Sequence, residues 1–191
     1  GVSAKYIDHL KNENYNSKKL DLSSIKIITS TGSPLAEESF KYVYENIKQD
    51  VHLASIAGGT DLVGCLVLGN LYSNIYKGEI QGQSLGIDVD VFTDNGKSTK
   101  DGDKGELVVK RPFPSMPIKF WGDNDGKKYH KAYFAKFENI WHHGDFIERT
   151  SNNGFIMRGR SDSTLNPGGV RIGTSEIYQQ VEDIEFVTEA L

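Results

Sequence analysis

The spacing of hydrophobic residues divides the chain into an early part of mixed helices and strands and a later part of short strands. Apolar residues within 40–47 recur at i, i+3, i+4 and i+7, which predicts an amphipathic helix. Ser33 is the expected N-cap of this helix, and Pro34 suits its first turn. Apolar runs at 25–29 and 51–55 predict flanking strands, so the order favours a parallel βαβ unit.

After Gly59 the pattern changes to short apolar runs separated by turn signals such as Asp94-Asn95-Gly96. Strands are expected at 63–68, 86–93, 105–111 and 154–157. These strands predict a small antiparallel barrel or sheet. Two more helices are expected, one over 3–13 with Ser3 as its N-cap and one starting at Thr174 or Ser175. Residues 127–137 show no clean period and fit a loop or a short helix.

Composition narrows the class of ligand. The chain has 191 residues, 37% of them hydrophobic and 25% charged, as in globular domains. Its net charge of −4 gives no general attraction to nucleic acid or anionic membranes, so a small-molecule ligand is expected. The single cysteine, Cys65, excludes an internal disulfide and fits a buried apolar position in a cytoplasmic protein. No apolar run approaches the ~20 residues of a membrane span.

Two turns follow the predicted parallel strands. Thr31-Gly32-Ser33-Pro34 lies between a strand and a helix N-terminus, where free backbone N–H groups attract anions. Ala57-Gly58-Gly59-Thr60-Asp61 follows the next strand and combines a hydroxyl with a carboxylate, which suits Mg²⁺. Each segment taken alone is also compatible with an ordinary turn.

The segment Trp141-His142-His143-Gly144-Asp145 contains two adjacent histidines. On an extended chain neighbouring side chains point to opposite faces, so we do not expect these two histidines to share a metal ion. Asp145 can instead accept hydrogen bonds from both hydroxyls of a ribose.

The segment 159–172 carries two arginines on either side of an Asn-Pro-Gly-Gly turn. Arg160 and Arg171 offer planar donor groups for phosphate or ribose oxygens, although each is also compatible with a surface ion pair. Asp162 lies where strand-rich sequence gives way to helical sequence, which favours a hinge at this residue.

In order and approximate spacing, these segments resemble the adenylate-forming acyl-CoA synthetase family. The residues that carry the resemblance are Thr31-Gly32-Ser33-Pro34-Leu35, Gly58-Gly59-Thr60-Asp61, His143-Gly144-Asp145, and Gly159-Arg160-Ser161-Asp162 through Gly169-Val170-Arg171-Ile172. Segments such as Lys131-Ala132-Tyr133-Phe134 look closest to the members that act on acetoacetate. The resemblance implies that ATP activates a carboxylate as an acyl-adenylate, which is then transferred to coenzyme A.

The resemblance also implies a role for each matching position. Gly32, Ser33 and Pro34 would line the adenine and ribose side, beside Gly58 and Gly59. Thr60 would contact the α-phosphate. Asp61 stands where most relatives have a magnesium-associated Glu. Asp145 and Arg160 would hold the ribose, Arg171 the phosphate, and Gly169 would leave room for pantetheine, with Asp162 as the hinge.

Further expectations concern the substrate and the extent of the chain. Acetate-activating relatives carry a Trp-Trp pair where this chain has Ala57 and Gly58, which favours a longer acid such as acetoacetate.

The expected parts are 1–84, the end of an α/β subdomain; 85–161, a small β-barrel; and 162–191, the hinge and start of a C-terminal lid. The family's phosphate loop and lid lysine are missing, so we expect an inactive fragment that lacks the N-terminal and C-terminal parts of the enzyme. The alternatives are another short-chain acyl-CoA ligase and a nucleotide-binding module without catalysis.

Overall fold

The computed structural model describes residues 1–17, 19–165, 172–182, 184 and 187. The helices in this part of the chain are α1 Ala4–Asn12, α2 Glu37–Tyr42, α3 Lys127–Tyr133 and α4 Thr174–Glu182. A π-helical turn, Val43–Ile47, extends α2, and a 3₁₀ turn, Ser161–Ser163, precedes α4. No helix within the described residues is long and apolar enough to cross a membrane.

The strands form three sheets. Their bounds are β1 Val2–Ser3, β2 Ile27–Thr31, β3 His52–Ser55, β4 Ala57–Gly59, β5 Gly64–Leu68, β6 Gly82–Gln83, β7 Val89–Phe92, β8 Lys104–Val109, β9 Trp141–Arg149 and β10 Phe155–Arg160. The sheet orders are β1-β2-β3, β4-β5-β6 and β10-β9-β8-β7.

The first sheet confirms the predicted βαβ unit. β2 and β3 run parallel, and Ser30 pairs with Ser55 near the carboxyl end of both strands. Helices α1 and α2 contribute Ile7 and Phe40 to the core that covers this sheet, where both side chains are almost fully buried. The predicted N-cap of α1 is confirmed, because the Ser3 side chain accepts a hydrogen bond from the backbone N–H of Tyr6.

The predicted start of the next helix is wrong. Helix α2 begins at Glu37 after Ala36, whose ψ of 153° keeps the preceding backbone extended, and no side chain caps it. Ser33 is exposed, whereas Leu35 is buried in the core. Burial of Leu35 needs the extended segment, and this outweighs the local capping preference of Ser33.

The antiparallel region is confirmed as two antiparallel sheets. Its main body, β10-β9-β8-β7, is an open four-stranded sheet within the described part of the chain rather than a closed barrel. Leu107, Trp141 and Ile147 lie in its core and are at most 2% exposed. The short helix α3 packs over β9 through Tyr129 and Tyr133, which join the same core.

Candidate functional site

A bulge in β9 lies at the centre of the candidate site. Glu106 pairs with Phe146 and Val108 with His142, so Leu107 alone faces the three residues 143–145. Gly144, in the middle of the three, has φ of +83°, a conformation that favours glycine. Such bulges re-aim side chains, and this one determines where His143 and Asp145 point.

Trp141, His143 and Asp145 form a hydrogen-bonded row along β9. The indole Nε1–H of Trp141 donates to Nδ1 of His143 over 3.3 Å. The imidazole also bonds to the backbone of Gly58, and its Nε2 lies 3.6 Å from Oδ2 of Asp145. Because Nδ1 accepts a hydrogen bond from Trp141, the neutral ring carries its own proton on Nε2, the nitrogen that lies near the Asp145 carboxylate.

Arg160, at the end of β10, completes this cluster. Its Nη1 donates to Oδ1 of Asp145 and to the carbonyl of His143, both over 3.1 Å. A Cβ at Gly144 would lie 2.6 Å from Nη2 of the same guanidinium. A glycine is therefore required at this position both for its torsion angle and for the space that Arg160 occupies.

Burial controls the charges of this cluster. Asp145 is 8% exposed, and burial raises the pKa of its carboxyl against the opposing attraction of His143 and Arg160. Burial likewise lowers the pKa of His143 below its ordinary value, although Asp145 acts in the opposite direction. The cluster therefore holds a neutral imidazole beside a poorly solvated carboxylate, which favours binding of hydroxyl donors to Asp145.

The expected turn at Gly58 and Gly59 is wrong, because both residues belong to strand β4, which pairs with β5. At Gly59 a Cβ would lie 3.0 Å from Cε1 of His143, so the strand passes close to the imidazole. At Gly58 a Cβ would overlap the carbonyl of Gly64 and lie 2.6 Å from Cα of Cys65. The absence of a side chain at Gly58 therefore permits strand pairing and does not open a pocket in that direction.

Thr60 and Asp61 follow β4 in an exposed turn, which the Val63 N–H closes onto the Thr60 carbonyl over 3.2 Å. The Asp61 carboxylate accepts a hydrogen bond at Oδ2 from the phenol of Tyr133 at the end of α3. The Tyr133 ring in turn stacks on Trp141, with 3.6 Å between centroids and 12° between planes. Asp61 is thus connected to the β9 cluster through two aromatic rings.

The other turn lies at the same edge of the first sheet. Ser30 pairs with Ser55, and the Ile56 N–H donates to the Ser30 carbonyl, so Gly32 and Ala57 each follow closely after the paired ends. Gly32 has φ of +90°, and a Cβ there would meet nothing within 4 Å. The shared edge is confirmed, but Ser33 and Pro34 do not adjoin a helix N-terminus, because α2 starts at Glu37.

His142 points away from His143, as strand alternation predicts. Its Nε2 lies 2.9 Å from Oε2 of Glu106, a carboxylate that is 1% exposed in its side chain. Lys136 donates to Oε1 of Glu106 over 2.6 Å, and the hydroxyl of Ser161 donates to Oε2. This buried network anchors the residue directly before Asp162, whose own side chain is 76% exposed.

A magnesium ion fits this site only when it arrives with its own phosphate ligands. Within the described residues there is no group of three or more His, Cys, Asp or Glu side chains arranged to hold a metal. Asp61 offers one carboxylate, and Tyr133 already donates to Oδ2. Mg²⁺ commonly binds proteins through one or two carboxylates plus substrate phosphates, and Asp61 meets that requirement.

Gly169 and Arg171 lie outside the described residues, as do the other residues of the Asn-Pro-Gly-Gly turn. The structure does bring together Gly58, Gly59, Asp61, Asp145 and Arg160 through the contacts above. Tyr133, Trp141 and Glu106 were not predicted as site residues. Tyr133 and Trp141 stand in the quoted segments 131–134 and 141–145, but their aromatic character also fits a simple core. No local pattern in the sequence pointed to Glu106.

Comparison with known proteins identifies relatives along the entire chain. The acetoacetyl-coenzyme A synthetase of Rhizobium meliloti is 58% identical over 192 residues, and the acetoacetyl-CoA synthetase of Gallus gallus is 46% identical over 193 residues. Both alignments cover 100% of this chain but 29% of the relative, so the chain spans less than a third of the proteins that it matches. No family model matches.

Comparison with solved structures gives the same result as comparison with the relatives' sequences. The acetoacetyl-CoA synthetase of Streptomyces lividans superposes on 99% of this chain with a TM-score of 0.89 and 38% identity, again over 29% of that protein. An anthranilate CoA ligase in complex with anthranoyl-AMP superposes with a TM-score of 0.77 at 19% identity, which supports the fold alone. Along its whole length, the chain is therefore similar to one segment of acetoacetyl-CoA synthetases.

Proposed function

We propose that this chain is the segment of an AMP-forming acetoacetate–CoA ligase that binds the ribose and phosphates of ATP. The observation that carries the proposal is the buried Asp145 carboxylate, held by Arg160 beside a neutral His143. Its similarity to acetoacetyl-CoA synthetases over the entire chain supports the substrate class. The complete enzyme would join acetoacetate to ATP as an acyl-adenylate with release of pyrophosphate, then transfer the acyl group to coenzyme A with release of AMP.

In this proposal Asp145 accepts hydrogen bonds from the ribose hydroxyls, and Arg160 keeps the carboxylate oriented. Thr60 contacts the α-phosphate from the exposed turn, and Asp61 faces the Mg²⁺ that accompanies ATP. Gly32, Ser33 and Pro34 line the adenine side of the shared sheet edge, beside Gly58 and Gly59. Arg171 is assigned to the phosphate and Gly169 to the pantetheine path on the resemblance alone.

The proposed parts are 1–84, the end of the α/β subdomain; 85–161, the antiparallel subdomain; and 162–191, the hinge and the start of the lid. Asp162 as the hinge is supported by its position in a 3₁₀ turn between β10 and α4, with an exposed side chain. A torsional change at Asp162 would leave its own exposed side chain in water, but it would have to separate α4 from β10, against which α4 packs. A cytoplasmic location, which the single unpaired cysteine supports, and a role in lipid metabolism, which we connect with acetoacetate as the substrate, belong to the same proposal.

The test is a pyrophosphate-exchange assay on the full-length protein that contains this sequence. Acetoacetate should support exchange at least about tenfold faster than acetate, propionate or butyrate, because a pocket built for one acid discriminates by about that factor. Higher exchange with one of the other acids would favour another short-chain acyl-CoA ligase. Binding of AMP or ATP in calorimetry without any exchange would favour a nucleotide-binding module. The chain alone should show no exchange.

Gly58→Trp is a poor test of the acyl pocket, because a side chain at Gly58 meets the backbone of β5. Ala57 is half-buried and packs against the main core, so substitutions there also disturb packing. The panel of acids is therefore the more direct measurement of substrate preference.

A further inference from the structure

The phenol of Tyr133 contacts Asp61 across a sequence separation of 72 residues. Tyr133 is the last residue of α3, whereas Asp61 follows β4. The Tyr133 hydroxyl donates to Oδ2 of the carboxylate, while Oδ1 has no hydrogen-bond partner among the described residues. Since Asp61 is otherwise exposed, this one bond determines which way its carboxylate is turned.

The position of Tyr133 is itself firmly held. Its ring lies flat on Trp141, which is 2% exposed in the core. The first turn of α3 is anchored by Asp123, whose buried carboxylate accepts from the backbone N–H groups of Lys128 and Tyr129 over 3.2 and 2.8 Å. The hydroxyl is therefore presented to Asp61 by a rigid support rather than by a mobile surface side chain.

The same support reaches the ribose side of the candidate site. Trp141 carries Tyr133 on one face and donates through Nε1 to His143, which lies 3.6 Å from Asp145. One row of rings thus spans the distance between Asp61 and Asp145.

We propose that Tyr133 is a positioning residue for Asp61: its hydroxyl occupies Oδ2, fixes the carboxylate and leaves Oδ1 for the Mg²⁺ that accompanies the nucleotide. This inference rests on the proposed function. It assigns Tyr133 no contact with the reacting atoms. It distinguishes the Tyr133 hydroxyl from that of neighbouring Tyr129, which donates to the Pro117 carbonyl.

The test compares Tyr133→Phe with Tyr129→Phe in the full-length protein. Phenylalanine preserves each ring and removes only a hydroxyl. The Tyr129 hydroxyl donates to the Pro117 carbonyl and therefore serves as the matched control. Calorimetry measures ATP binding with Mg²⁺ and with a chelator in its place. Tyr133→Phe should weaken Mg²⁺–ATP binding about tenfold, the usual effect of one hydrogen bond to a charged group. Tyr133→Phe should change the affinity for metal-free ATP, measured with the chelator, less than about twofold. Tyr129→Phe should leave both affinities within about twofold of the wild type.

Asp61→Ala provides the second arm, as a double-mutant cycle. Once Asp61 is absent, the additional Tyr133→Phe substitution should change Mg²⁺–ATP binding less than about twofold. Equal losses with and without Asp61 would overturn the positioning role, as would Mg²⁺–ATP binding that Tyr133→Phe leaves unchanged. A wild-type protein that binds no ATP would overturn the proposed function and this inference with it.

Discussion

Two buried aspartates in the four-stranded sheet have opposite environments. Asp90 on β7 is 4% exposed and is surrounded by donors. Oδ1 accepts from the Val91 N–H over 2.8 Å and from Arg149 over 2.5 Å, and Oδ2 accepts from Ser98 over 2.7 Å and pairs with Lys110 over 3.2 Å. Burial raises the pKa of Asp90, but these partners together outweigh it and bring the pKa below the ordinary value.

Asp145 on β9 is almost as buried as Asp90, but fewer hydrogen-bond donors contact its carboxylate. Arg160 donates to Oδ1, and the nearest group to Oδ2 is the His143 ring at 3.6 Å, too far for a good hydrogen bond. Burial therefore prevails and raises the pKa of Asp145. The hydrogen-bonding capacity of Asp90 is thus filled by groups of the fold itself, whereas Asp145 keeps acceptor capacity that a ligand can use.

The largest expected effect is on stability at Asp90. Asp90→Asn should lower the free energy of unfolding by about 2 to 3 kcal/mol, because it removes the charge that several donors share. Asp88→Asn is the control: Asp88 pairs with Lys110 and Arg111 at the surface and should matter by less than about 1 kcal/mol. Urea unfolding at neutral pH measures both. Equal losses for the two variants would show that the buried donors around Asp90 contribute no more to stability than a surface ion pair does.

Gly144→Ala should have the next largest effect. Alanine at φ of +83° costs roughly 1 to 2 kcal/mol, and its Cβ would displace the Arg160 guanidinium. Gly102→Ala is matched to it, because Gly102 has φ of +85° with nothing within 4 Å of a Cβ. Both variants should lose stability in urea unfolding, Gly144→Ala the more of the two because Arg160 is displaced, but only Gly144→Ala should weaken nucleotide binding in calorimetry. Loss of binding in both variants would show that backbone strain, rather than Arg160, is responsible.

Asp145→Asn should change stability by less than about 1 kcal/mol at pH 7, because burial opposes the charge that the variant removes. Since the folded pKa of Asp145 lies above the unfolded 3.8, its ionisation lowers stability at neutral pH, and this cost disappears as the pH falls to 3.8. Urea unfolding curves of variant and wild type should therefore converge on acidification.

For Asp90 the sign is opposite. Its contribution to the free energy of unfolding is present above pH 3.8 and is lost as the pH falls through its lowered folded pKa. A loss at Asp145 as large as that at Asp90 would contradict the comparison.

The smallest expected effect is spectroscopic. In a Trp121→Phe background, which removes the fully exposed indole, Trp141 is the remaining tryptophan and reports on His143. The midpoint of the change in its emission should lie below pH 6.5, because burial lowers the pKa of His143 from that value. Protonation would also remove the Nδ1 acceptor that Trp141 uses. A change centred at 6.5 or above would contradict the buried neutral imidazole.

Local patterns predicted the elements whose stability is local. The Ser3 cap, the parallel pair of strands and the helix over 40–47 depend on periodicity and capping within a few residues. Strand β9 was missed because both of its faces are covered, so its sequence shows no alternation. Within the segment 57–61, which was compatible with a turn, Ala57–Gly59 instead forms a strand, because the absence of side chains at the two glycines lets β5 approach.

By itself, the sequence determined the α/β character, the antiparallel region and the candidate residues Asp61, Asp145 and Arg160, because each depends on a residue type within a short local pattern. The tertiary structure alone decided that Tyr133 donates to Asp61 and that the β9 bulge turns Asp145 toward Arg160. These contacts join residues far apart in the chain, and their geometry depends on strand register and ring stacking. Short-range periodicity carries no information about either.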